Sequence, residues 1–421
     1  MESESTSRRQ TRAGNAFEVL WVFLQMGCTC FGGPIAHLGY FRREFVERRR
    51  WLDDKTYSDL IALCQFLPGP ASSQVGFSIG LLRAGWWGGL AAWLGFTLPS
   101  AVLLTGYASL ARLLDNTLGK GLVHGLKLVA VAVVAQAIWD MARRLCPDRA
   151  RAAIALAALA LLSVLDTVYA QLIVIGGGAL LGIVVWRMSV ASSASVASSA
   201  PVAGSASADA HAFALPRAAS GIALVLFCVL LAGLPALEAL LPATWTIRIF
   251  DVFYRSGALV FGGGHVVLPL LQQATVASGW ISANDFLAGY GAAQAVPGPL
   301  FTFASYLGWM MSPSSAHWLG ALCATVGIFL PGLLLVIAVL PHWQALRTRP
   351  SVAALLAGAN AAVVGLLASA FYAPVWTSAV LSATDFAVAV VSLFLLTCWN
   401  VRPLLVVLLC AGAGIVETFV R

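Results

Sequence analysis

Two short stretches of the chain read almost alike, QFLPGP at residues 65–70 and QAVPGP at residues 294–299. Each sets a carboxamide, Gln65 or Gln294, before a Pro-Gly-Pro turn centred on Gly69 or Gly298. The prolines lack an amide donor and the glycine between them suits a turn, so no helix passes through either unbroken. Ala71, Ser72, Ser73 and Gln74 follow the first turn; Leu300, Phe301, Thr302 and Phe303 follow the second. No Arg and no carboxylate stands beside either turn. Phosphoryl transfer needs a placed acid or base and a cation, so a lipid-phosphate phosphatase is a distant alternative. Binding fits these residue types better, because hydroxyls, carboxamides and backbone amides together can donate several hydrogen bonds to one polar ligand.

Two glycine runs add backbone donors, Gly32 with Gly33 after Phe31, and Gly262, Gly263 and Gly264 after Phe261. Helix N-termini exposed at such breaks favour negative charge through their unsatisfied amides and dipole. Lys127 lies early in an apolar run, where a cation is costly; it either snorkels to the interface with His124 nearby or attracts substrate. The expected substrate-binding set is Gly32, Gly33, Gln65, Gly69, Ser72, Ser73, Gln74, Lys127, Gly262, Gly263, Gly264, Gln294, Gly298, Thr302 and Asn360. No catalytic residue, metal site or cofactor is expected. The first turn is richer in hydroxyls, so the site should be weighted toward the first half, and replacing Ser72 and Ser73 together should impair it more than replacing Thr302.

These residues must be held in a membrane. Sixty per cent of the 421 residues are hydrophobic and 10% charged, and the mean hydropathy is +0.86. That predicts an all-α polytopic membrane protein. In a bilayer, broken backbone is tolerated only where protein or water covers it, so each turn predicts a cavity at depth. The net charge of +7 sits in short loops; it is orientation information and not a nucleic-acid footprint. The eight cysteines fall almost entirely in apolar runs and show no metal spacing. No GxxxxGK[ST] run is present to hold ATP phosphates.

Residues 1–15 read as a polar cytoplasmic tail without a signal peptide, and 16–187 as a first repeat. Residues 188–217, rich in Ser and Ala, read as a flexible linker. A linking transmembrane helix is expected over 218–241 and a second repeat over 242–421. Apolar spans are expected at 86–110, 121–141, 150–165 and 168–186. Segments 17–40 and 59–82, with their second-half partners, read as re-entrant hairpins. The repeat is explicit: Phe31-Gly32-Gly33 answers to Phe261-Gly262-Gly263, Trp51 to Trp280, Pro99 to Pro331, and GLKLVAV from Gly125 to GANAAVV from Gly358, which pairs Lys127 with Asn360. Arg42, Arg43, Arg48, Arg49, Arg50 and Lys55 crowd one loop, yet no Lys or Arg occurs between Arg255 and Arg347. Equivalent loops therefore belong on opposite sides, as in two inverted-topology repeats. Arg83 and the basic loop either attract anions at the cytoplasmic mouth or set topology.

The doubled FGG, the doubled QxxPGP and the GLK/GAN pair resemble the chromate ion transporter family in its long, two-domain form. The resemblance covers nearly everything except the tail and the Ser/Ala linker. It implies export of chromate from the cytoplasm across the inner (plasma) membrane, hence chromate resistance, with sulfate as a structural mimic. The partners it implies are a chromate- or sulfate-like dianion and the lipid bilayer, with a homodimer allowed. A transporter or channel for sulfate or another oxyanion is the alternative. The few acidic residues in apolar segments, Glu18, Asp140 and Asp251, lie near segment ends, so no proton or sodium carboxylate site is expected and the membrane potential is the expected drive.

Overall fold

The computed structural model describes residues 15–111, 117–165, 170–194, 216–240, 244–261, 264–347 and 349–420. Among them there is no strand. Helix α1 (Ala16–Thr29) begins on Asn15, whose side chain accepts from the Phe17 amide, and ends before the first glycine run. Gly32, at φ 98°, turns the chain into α2 (Gly33–Phe41), which continues as a π-helical segment, Arg42–Arg48. Asp53 caps α3 (Asp54–Phe66) through the Thr56 amide. The first Pro-Gly-Pro turn comes next, and then α4 (Ala71–Ala111), which is broken at Ala84 and Gly85.

Helices α5 (Thr117–Leu145), α6 (Arg149–Val164) and α7 (Ala170–Ala194) complete the first repeat, and α8 (Arg217–Leu240) links it to the second. The second contains α9 (Trp245–Ala258), α10 (Val267–Thr275), α11 (Ala283–Ala295), α12 (Phe303–Met311), α13 (His317–Val339) and the short α14 (Trp343–Arg347). It ends with α15 (Pro350–Ala370), the short α16 (Thr377–Ala379), α17 (Ala383–Thr397) and α18 (Pro403–Val420). Both turns interrupt helix as their composition requires: α3 stops at Phe66 and α11 at Ala295.

Six helical stretches among the described residues are long and apolar enough to cross a membrane: Ala71–Leu110, Leu118–Leu145, Ala170–Met188, Ala218–Glu238, His317–His342 and Pro350–Ala379. This is a multi-pass membrane protein. The first stretch does not run straight. A Cβ on Gly80 would lie 2.3 Å from the Gly88 carbonyl oxygen, whereas eight residues of continuous helix would separate them by about 12 Å. The chain therefore folds back at Gly85, and the part of α4 before the break packs against the part after it. The second repeat does the same between α12 and α13, where a Cβ on Gly308 would lie 2.3 Å from the Gly320 oxygen.

One expected span is short. Composition predicts a crossing over residues 150–165, but α6 has 16 residues and at 1.5 Å per residue reaches only about 24 Å of a roughly 30 Å core. Two features organise the whole. Within each repeat the opening helix packs on the long helix, α1 on α4 and α9 on α13. The closing helices cross over: α5 packs on α17 and α18 of the second repeat, and α15 on α6 and α7 of the first. Glycines permit both crossings, since a Cβ on Gly125 would lie 2.2 Å from the Cys410 oxygen and one on Gly358 2.1 Å from the Gly178 oxygen. Helix α8 lies against α13, with Ser220 donating to the Ala338 oxygen, and leaves Ile222, Val225 and Val229 exposed.

Candidate functional site

Each Pro-Gly-Pro turn is pinned by the other repeat. The Gly69 amide donates to the Val260 oxygen at 2.7 Å and the Gly298 amide to the Cys30 oxygen at 2.8 Å. Val260 and Cys30 immediately precede Phe261 and Phe31, so each turn hangs on the stretch of chain leading into the opposite glycine run. The residues that follow the partner prolines take part as well. A Cβ on Gly69 would lie 3.0 Å from Gly332 Cα, and one on Gly298 2.8 Å from Ser100 Oγ; these residues follow Pro331 and Pro99. Both turn glycines hold positive φ, 121° and 102°. The two glycine runs themselves meet, since a Cβ on Gly264 would lie 3.2 Å from Pro34 Cγ.

Beside this junction is a cavity of about 460 Å³, lined by Gly32, Pro34, Gln65, Gly69, Ala71, Gly264 and Asn360 together with one face of α5. That face carries Val133, Gln136, Asp140 and Arg144, residues one helical turn apart. A smaller space of about 60 Å³ continues from Gly32, Val133 and Gln136 to Gly33, Gln294, Gly298 and Pro403. The N-terminal ends of α2 and α4 edge the larger cavity, which places two positive dipole ends on it. Asn360 Oδ1 and Gln294 Nε2 are buried without a hydrogen-bond partner. Leaving such an atom unsatisfied costs about 1–3 kcal/mol, a cost that a bound ligand or water recovers.

The expected set therefore divides. Gly32, Gly33, Gln65, Gly69, Gly264, Gln294, Gly298 and Asn360 line the two spaces. Gly262 and Gly263 lie outside the described residues. Ser72, Ser73, Gln74, Thr302 and Lys127 line neither. Gln74 Nε2 donates to the Pro68 oxygen at 2.9 Å and the Gly332 oxygen at 3.0 Å, so it fastens the turn to the second repeat. Thr302 donates to the Pro299 oxygen at 2.6 Å and fastens the other turn locally. Ser72 Oγ lies 3.4 Å from His37 Nδ1, both buried beside Phe96. Lys127 Nζ donates to Asn284 Oδ1 at 2.7 Å, at the start of α11. The Gly69 and Gly298 amides are occupied by the cross-repeat bonds, so these glycines shape the wall and do not offer donors.

Sequence reasoning missed Gln136, Asp140 and Arg144. Their i, i+4, i+8 spacing on an otherwise apolar helix was the available signal. The reading that no Arg or carboxylate accompanies the first turn is corrected in space, because Asp140 and Arg144 reach the cavity that the turn borders. Of the two readings of Arg83 and the basic loop, anion attraction and topology, the ion pairs of Arg83, Arg42, Arg48 and Arg49 speak against the first for those four residues. Arg83 pairs with Glu18 at 3.5 Å and stacks over Trp51. Arg42 binds Glu47 and Asp54, each at 2.9 Å. Arg48 and Arg49 grip Glu44 at 3.0 and 2.5 Å. Burial tends to raise the Glu44 carboxyl, but hydrogen bonds from Arg49 and Arg48 outweigh it and hold Glu44 below the ordinary value.

A family model described as chromate transporter matches residues 17–183 and 247–415, one match per repeat. A chromate transport protein of Pseudomonas aeruginosa is 27% identical over 349 residues, covering 82% of this chain and 77% of its own length. A chromate transport protein of Cupriavidus metallidurans is 26% identical over 360 residues, covering 84% of this chain and 81% of its own length. An uncharacterised transporter of Methanocaldococcus jannaschii is 24% identical over 340 residues, covering 79% and 78%. No solved structure matches.

Proposed function

The chain belongs to the chromate transporter family, and on that premise we propose that it exports chromate from the cytoplasm, driven by the membrane potential, and so confers chromate resistance. The observation that carries this reading is the 460 Å³ cavity, where two helix N-termini, Arg144, Gln65, Gln136 and Asn360 converge at the junction of the repeats. Its volume falls in the range of roughly 300–1,000 Å³ usual for small-ligand sites and leaves room for part of a hydration shell. Arg144 supplies a full positive charge, and Asp140, one turn before it on α5, sets a carboxylate on the same wall without forming an ion pair with it. The carboxamides supply oriented donors for tetrahedral oxygens.

The proposed direction rests on charge and side. Arg144 ends α5 beside Arg143, Arg149 and Arg151, and by the positive-inside rule this end is cytoplasmic. The cavity then opens inward, and the Lys/Arg-free loops of the second repeat face outward, consistent with inverted repeats that exchange access around a shared site. Moving a charge through 100 mV is worth about 2.3 kcal/mol, so a dianion leaving a negative-inside cell gains about twice that. The donors do not read the central atom, so sulfate is expected to compete. A phosphatase is disfavoured: Ser72 and His37 touch each other but line neither space.

The test is chromate flux in proteoliposomes under an imposed potential, with sulfate as competitor. Saturable, potential-dependent and sulfate-inhibited flux supports the reading. Flux of sulfate alone would reassign the substrate, unit conductance without saturation would make the pathway a channel, and flux indifferent to potential would remove the proposed drive.

A further inference from the structure

Three side chains far apart in sequence meet near the start of α5, about 30 Å along that helix from Arg144 at 1.5 Å per residue. His124 Nε2 lies 2.6 Å from Asp385 Oδ1 and 3.7 Å from Glu417 Oε2. The three ligand atoms all lie within 4.8 Å of one another. They come from α5 of the first repeat and from α17 and α18 of the second, the pair that crosses over to pack on it. The geometry points to a divalent transition-metal site of the zinc class, formed by His124, Asp385 and Glu417.

The arrangement is built beyond the three ligands. Each carboxylate has one oxygen held by a donor and turns the other toward the same imidazole nitrogen. Asp385 Oδ2 accepts from the Leu381 amide at 2.9 Å, and Glu417 Oε1 accepts from Thr384 Oγ1 at 3.2 Å. Such outer hydrogen bonds orient ligands and are characteristic of metal centres. An imidazole nitrogen carries one proton along one direction and cannot serve two carboxylates equally; a cation held at about 2.0–2.2 Å from each ligand would replace the direct His124–Asp385 contact of 2.6 Å as the side chains part. Access is graded, with the Asp385 side chain fully buried and His124 and Glu417 exposed by 19% and 18%. The buried carboxylate forms the floor and the other two the entrance.

One imidazole nitrogen with two carboxylate oxygens suits Zn²⁺ with water in the fourth position, and disfavours Mg²⁺, which takes oxygen ligands in octahedral array. Lys120, which has a partner of its own, lies one turn before His124 on α5. A bound ion would tie α5, whose other end lines the anion cavity, to the second repeat.

Isothermal titration of the metal-free, detergent-purified full chain with Zn²⁺ and with Mg²⁺ tests the assignment, using His124→Gln and Glu417→Gln beside the parent. Expected is one Zn²⁺ per chain, weakened at least about tenfold by either substitution, with Mg²⁺ weaker throughout. Glu417→Gln keeps the shape of a partly exposed side chain, so it carries the test if His124→Gln fails to fold. Absence of stoichiometric Zn²⁺ binding, or binding unchanged in Glu417→Gln, would overturn the site and leave His124–Asp385 as an ion pair between helices.

Discussion

Two arginines of equal formal charge do different work, and substitution separates them. Arg144 lines the cavity, whereas Arg83 is spent on Glu18 and on the face of Trp51. A hydrogen bond to a charged group contributes about 1.5–3 kcal/mol. Arg144→Gln is therefore expected to raise the half-saturating chromate concentration roughly tenfold or more while leaving the melting temperature in detergent near that of the parent. Arg83→Gln should do the reverse. Flux against concentration beside a thermal melt decides the matter; equal effects of both on flux would return Arg83 to the anion path. Gln74 belongs with Arg83. Its amide closes two backbone carbonyls across the repeat junction, so Gln74→Ala should cost stability, about 1–3 kcal/mol for the groups left unpaired. Neither assignment was legible in the sequence, where Gln74 follows the turn as an obvious donor and Arg144 stands among Arg143, Arg149 and Arg151 as one of several cations in a short stretch. Spacing along the chain cannot say which carbonyl a carboxamide reaches 258 residues away.

At the scale of elements, the breaks were legible and their fastening was not. Pro-Gly-Pro excludes helix whatever surrounds it, and the doubled FGG marked the other ends; α3, α4, α11 and α12 begin and end accordingly. The reciprocal bonds from Gly69 to Val260 and from Gly298 to Cys30 depend on two repeats folding against each other, and no local pattern encodes them. They do yield an expectation. Gly69→Ala must hold φ near 121° and place a methyl 2.9 Å from Gln74 Nε2, a strain of about 1–3 kcal/mol for the backbone alone. Loss of folded protein, read by monodispersity on size exclusion, is the expected result. The π-helical segment makes a pH-dependent contribution. Because the folded Glu44 carboxyl is held below its ordinary value, its grip on Arg48 and Arg49 stabilises fully above the unfolded value of about 4.3 and is lost as pH falls through the lower folded value. Glu44→Gln should therefore lower thermal stability at neutral pH and flatten its fall at acid pH.

At the scale of the molecule, the repeats are intertwined and not merely tandem. Charge asymmetry and repeated motifs announced two units, but a tandem arrangement would satisfy both equally well. What the sequence could not carry is the crossing: α5 seats on α17 and α18, and α15 on α6 and α7, through glycine contacts whose partners lie in the other repeat. Each repeat alone would expose apolar surface of its crossing helix, where Val129, Ala130, Val131 and Ala132 are now buried on all sides, or Ala361, Ala362 and Val363 in the second. It would also leave its own turn without the carbonyl that fixes it. Exposed helix faces of this kind find lipid but not the close backbone contact that small residues give, and in a bilayer that contact supplies much of the association energy. Dividing the chain within the Ser/Ala-rich stretch 195–215 should therefore give two fragments that each degrade or aggregate when made alone, yet co-purify and transport when made together. Fluorescence-detected size exclusion of the singly and jointly expressed fragments reads this directly. A first fragment that is monodisperse by itself would mean that the repeats fold as independent units and that the cavity between them forms only on docking.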